Sequence, residues 1–120
     1  MPSAADIMMV SGSWGRVACA ARANGSVPAK EFFDGLVREE QAKVLSLFHR
    51  MAEIGRITNT EQFRKVQGDV WEFKKFQIRF SCYQVERTWF LLHGFRKKQD
   101  RWPRREIDTA LAILNEHRNM

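Results

Sequence analysis

The chain has 120 residues, 28% of them charged, with a net charge of +6 and a pI near 9.8. That length supports one compact core and excludes a large multidomain assembly. No stretch approaches the roughly 20 apolar residues of a membrane span and no basic-then-apolar leader opens the chain, so a soluble cytoplasmic protein is expected.

Residues 1–12, with their Ser, Ala, Gly and Met, are expected to lack fixed structure, leaving 13–120 as a single domain. From Trp14 to Arg22 a weak alternation reads as a strand, closed by the turn signal Asn24-Gly25. Pro28 opens a short helix whose predicted buried face is Phe32, Phe33, Leu36 and Val37. A second helix begins near Glu39 or Glu40 and carries Val44, Leu45, Phe48, Met51 and Ala52 at helical spacing up to Gly55. Residues 57–67 are polar and turn-like, with at most one helical turn. Three strands follow, over about 70–75, 77–84 and 88–95, rich in aromatic and aliphatic residues with period-two alternation. Pro103 starts a last helix with Ile107, Ala110, Leu111 and Leu114 as its apolar stripe. The expected fold class is therefore α+β: a small antiparallel sheet, made of an N-terminal strand and a three-stranded meander, packed on a two-helix hairpin with a C-terminal helix.

Charge is concentrated along this order. Residues 1–61 hold seven basic and seven acidic side chains, residues 62–105 hold twelve and four, and residues 106–120 hold one and three. Six of the basic residues fall between Arg96 and Arg105, where the last strand runs into the last helix. A field localised in this way points to a polyanionic partner such as nucleic acid. The two cysteines, Cys19 and Cys82, lack zinc-ligand or disulfide-framework spacing, so neither a metal nor a cofactor is expected.

Strand parity sharpens the reading. A two-residue turn near Phe76 puts Glu72, Lys74 and Arg79 on one face of the meander, and Trp71, Phe73, Ile78, Phe80 and Cys82 on the other, which is the face to bury against helices. A three-residue loop at Val85-Glu86-Arg87 would set Arg79 opposite His93, giving an open polar row of Glu72, Arg79 and His93 beside Arg96, Lys97 and Lys98. A carboxylate, a guanidinium and an imidazole are the parts of a metal-independent ribonuclease: a base for the 2′-hydroxyl, cations for the charge on phosphorus, and an acid for the leaving oxygen. A one-residue change in either loop would send Arg79 or His93 to the other face.

The run Gly68-Asp69-Val70-Trp71-Glu72-Phe73-Lys74, then Ile78-Arg79-Phe80, then Leu91 to Lys98, then Pro103-Arg104-Arg105-Glu106-Ile107 resembles the RelE/HigB-like toxins of type II toxin-antitoxin systems, in their phage-derived branch. The resemblance spans roughly Ala29 to Leu114. It implies a toxin that cuts messenger RNA, often on the ribosome, and is neutralised by a co-expressed antitoxin, typically a helix-turn-helix protein. It implies a phosphate-stabilising role for Arg79, candidate acid-base roles for Glu72 and His93, a catalytic role for Lys97, and RNA contacts from Lys65, Lys74, Arg96 and Lys98. Arg101 and Trp102 extend that set, Trp102 standing where relatives often have Ser or Thr and offering a ring to stack on a base.

Structural readings compete at each position. Arg79 and Glu72 would form an ion pair across the sheet in any case, His93 at a strand end suits a structural histidine, and basic runs are usually solvated. Two functional alternatives remain open: a gyrase-directed toxin on the same scaffold, and a regulator that binds nucleic acid without cutting it.

Overall fold

The computed structural model describes residues 5–99 and 101–120. Among the described residues nine elements follow one another: β1 (Ile7–Ser11), β2 (Arg16–Cys19), α1 (Pro28–Asp34), α2 (Arg38–Ile54), β3 (Phe63–Gln67), β4 (Val70–Lys75), β5 (Ile78–Val85), β6 (Thr88–Arg96) and α3 (Arg104–Arg118). The fold is α+β, a six-stranded sheet in the order β1-β2-β6-β5-β4-β3 with three helices.

The helical hairpin and the meander lie where the sequence predicts them. Two strands add to the expectation. Residues 7–11, expected to be unstructured, form edge strand β1 against β2, while residues 1–4 of that segment lie outside the described residues. Residues 63–67, read as turn, form the opposite edge strand β3, with Arg64 facing Glu72 and Lys65 facing Trp71 across β4. The sheet is mixed rather than antiparallel, because β2 pairs with β6 in parallel. The helical crossover between β2 and the meander makes that pairing possible.

Each face of the sheet has its own core. On one face α1 and α2 cover Phe73, Ile78, Phe80, Cys82 and Leu91, with Phe48 meeting Phe73 and Phe80 edge-on at 5.0 and 5.4 Å. On the other, Ala110, Ile113 and Leu114 of α3 pack on Val70, Tyr83, Phe90 and Leu92. Burying a side chain of this size is worth about 1.5–3 kcal/mol. Val37, predicted to be buried, is instead 63% exposed just before α2. Its N–H donates to Glu40 Oε1 at 3.3 Å, so the position serves the helix start rather than the core.

A buried polar chain closes the far end. Tyr83 Oη lies 2.6 Å from His117 Nδ1, and His117 Nε2 lies 3.0 Å from Asp6 Oδ2. Strand β5, helix α3 and the residue ahead of β1 are thereby joined through groups that satisfy one another.

Candidate functional site

The turn between β4 and β5 sets the geometry of the site. Lys75 pairs with Ile78, leaving Phe76 and Gln77 as the two turn residues, and Phe76 takes φ 54°, an uncommon value for a bulky residue. Its carbonyl is put to use: Arg79 Nη1 donates to Phe76 O and to Ile78 O, both at 2.8 Å. Local backbone strain and a positioned arginine thus occur together.

Beside Arg79 lies Glu72, fully buried on β4. Its Oε2 accepts from Arg64 Nε at 2.7 Å and its Oε1 from Trp102 Nε1 at 2.8 Å. Arg79 Nε is 3.4 Å from Oε1, close enough to pair electrostatically but without hydrogen-bond geometry, so this N–H is buried and unsatisfied. Burial lowers the Arg79 pKa, Glu72 counteracts it, and Arg64 adds to it. A buried carboxylate between two guanidinium groups is a counter-charge that costs heavily if its partners are removed.

Arg64, Lys74, Gln77, Arg79, Lys97, Lys98 and Gln99 line a cleft of about 470 Å³. Among the described residues, none of those lining it is acidic. Lys97 is only 5% exposed there. Its pKa falls below the usual lysine value, chiefly through burial, with Glu72 opposing and Arg79, Arg64 and Lys74 lowering it further. Its backbone N–H donates to Gln77 O at 2.7 Å, which fixes the strand exit against the β4–β5 turn.

The structure brings Lys74, Arg79, Lys97 and Lys98 together and separates other expected members. Lys74 stands directly opposite Arg79. Glu72 is present, but its two oxygens are occupied within the protein, so it does not open onto the cleft as a base. His93 shares the face with Arg79, yet it pairs with Ser81, not Arg79. The loop between β5 and β6 has two residues, Glu86 and Arg87, and the register shifts between Ser81 and Cys82, so Leu92 is the extra residue that restores the parity. Nor is His93 on an open row. Its Nδ1 meets Ser81 Oγ at 2.5 Å, its Nε2 meets Glu106 Oε1 at 3.1 Å, and Phe95 stacks on it with a centroid distance of 5.4 Å. Burial pushes the imidazole pKa down, partly offset by Glu106.

Arg96 also departs from the expected clamp. It pairs with Ile78 on the face of the helical hairpin and makes two bonds to Glu40, at 2.7 and 2.9 Å. Lys65 faces Trp71, with Nζ 6.0 Å from the ring, and it also borders a second cleft together with Arg101 and Trp102. Trp102 is 8% exposed and packs edge-on against Phe95 at 4.7 Å, so it is a wall rather than a free stacking ring.

Arg64 was not anticipated. Its signal was parity: once 63–67 is a strand, the Arg64–Glu72 pair follows. Arg101 and Trp102 border a second cleft of about 590 Å³, next to the first and sharing Arg64 with it. A third cleft, of about 260 Å³ near Asp6, Arg16 and Glu86, mixes both charge signs. Among the described residues no group of His, Cys, Asp and Glu is arranged to hold a metal ion, and no helix is long and apolar enough to cross a membrane.

In comparison with known proteins, the family model described as phage derived protein Gp49-like (DUF891) matches residues 31–115. No curated protein matches the chain. The matched span runs from α1 into α3 and contains every residue of the first cleft.

Proposed function

From the premise that the chain belongs to the phage-derived Gp49-like family, a family of RelE-like toxins of toxin-antitoxin systems, we propose that it is an endoribonuclease toxin acting on messenger RNA. Its setting in this reading is the cytoplasm, with mRNA held on the ribosome as substrate and a helix-turn-helix antitoxin as its inhibitor.

One observation carries the proposal. Arg64, Lys74, Arg79, Lys97 and Lys98 converge on a cleft in which the central arginine is fixed by two backbone carbonyls. The buried, unsatisfied Nε of Arg79 costs stability, on the order of 1–3 kcal/mol, so fold stability alone does not account for this arrangement. Its Nη2 has no partner among the described residues and is the group we assign to the scissile phosphate, where charge grows as phosphorus becomes five-coordinate. Lys97 is assigned as the base. Its lowered pKa enlarges the amine fraction at a given pH, and that amine removes the 2′-hydroxyl proton as the oxygen attacks the adjacent phosphorus; the bond from phosphorus to the 5′-oxygen breaks, that oxygen takes a proton from water, and a 2′,3′-cyclic phosphate and a 5′-hydroxyl end remain. Lys74, Lys98 and Arg64 hold the flanking phosphates. Glu72 acts through Arg79 and Arg64 as a positioning residue. A donor set of cations and amides suits phosphate directly.

Incubating purified wild type and Arg79→Ala with mRNA, with and without ribosomes, tests the reading. Wild type is expected to cut and the variant to lose about 100- to 1,000-fold in rate, as for removal of an oxyanion donor. Intact mRNA with folded, antitoxin-free wild type in both settings overturns it.

A further inference from the structure

We propose that the second cleft is a nucleotide subsite, which takes the base and sugar of the residue next to the scissile phosphate and so gives the protein its sequence preference. The inference rests on the ribonuclease reading and extends it to a surface that the phosphate chemistry leaves unused.

The two clefts are neighbours that share one residue. Arg64 lines both, and its Nε bond to Glu72 leaves the two terminal nitrogens without partners among the described residues. A phosphate bound at Arg64 therefore hands the strand from one cleft to the other. The two linings differ in character. The first cleft is bordered wholly by cations and amides, whereas the second adds Val66, Trp102 and Ile107 to Arg64, Lys65, Arg101 and Arg104. Apolar wall plus guanidinium planes is the combination that holds an unstacked base, while the cations meet its phosphate. Arg104 Nε is tied to Asp108 Oδ1 at 3.0 Å on α3, which steadies its plane with the side chain 71% exposed. The Glu72 carboxylate in the floor is already neutralised by Arg64 and Arg79 and capped by Trp102, so it does not repel the incoming anion. At about 590 Å³ the space falls within the range of small-ligand sites.

Uncleavable 2′-deoxy ligands separate the clefts: a mononucleotide 3′-phosphate engages only the first, and a trinucleotide spans both. Calorimetric titration of full-length protein is expected to show the trinucleotide binding more tightly than the mononucleotide. Ile107→Trp, which fills the cleft, is expected to weaken the trinucleotide about tenfold, the scale of one lost base contact, while the mononucleotide stays within about twofold. Arg104→Ala, at an exposed helical position, provides a second variant that leaves the core intact and should also weaken only the trinucleotide. Unchanged trinucleotide affinity in both variants, with cleavage by wild type preserved, overturns the subsite and leaves the nuclease reading standing. Wild type that neither binds nor cuts RNA overturns both.

Discussion

In the proposed reaction Lys97 and Glu72 exchange the roles that residue type alone assigns them. A glutamate beside an arginine on a polar sheet face reads as a base, but burial of Glu72 under Trp102 turns it into a fixed counter-charge. Lys97 reads as a phosphate clamp, but burial among three other cations gives it a proton it releases more readily than an ordinary lysine. The sign is definite. A lysine lowered from 10.5 gains amine as pH rises through its depressed value, so kcat/KM for RNA cleavage should climb and level off with a midpoint below 10.5. Lys97→Arg keeps the charge and cannot titrate in this range, so the limb should vanish with the rate. An unchanged midpoint in that variant would assign the limb to another group. That Arg79, Lys74, Lys97 and Lys98 lie together was legible from parity and charge density. The burial of Glu72, His93 and Trp102 was not, because it depends on where α3 lands.

Among the elements, the meander and the helices were readable because period-two and helical patterns are local and strong. Strand β3 was hidden by its composition: Phe-Arg-Lys-Val-Gln at a sheet edge buries only Phe63 fully, so it lacks the apolar run that marks β4 to β6. Helix α1 meets β6 at a point the sequence hardly marks. A Cβ added to Gly94 would collide with the Phe32 ring, which also packs edge-on against Phe80 at 5.4 Å. Gly94→Ala should therefore destabilise the protein by about 1–3 kcal/mol through overpacking, read as a lower denaturant midpoint. The same change in a Phe32→Ala background should cost much less, since the two positions share one space. Equal losses in both backgrounds would place the cause in the backbone.

At the scale of the whole molecule, the net charge of +6 becomes a directed field once the basic residues are placed. Arg96 spends its charge on Glu40 and Arg118 on Asp69, away from the first cleft, while the five cations of that cleft stay together. Single-stranded RNA binding should therefore depend strongly on salt. With about four phosphate contacts, log affinity against log salt should fall with a slope of about −3, measured with an uncleavable strand. A slope near zero would mean that the cleft does not hold the backbone.

The parallel pairing of β2 with β6 has a consequence for how the molecule is made. Strands β3 to β6 are joined by short turns and form from local contacts, whereas β1 and β2 must wait for a strand encoded far downstream. Until they dock, the edge of β6 presents the open backbone of Trp89, Phe90 and Leu91 to any neighbour. Chains folding side by side at high concentration thus face a choice between their own β2 and another molecule, and the N-terminal hairpin acts as an internal guard against aggregation.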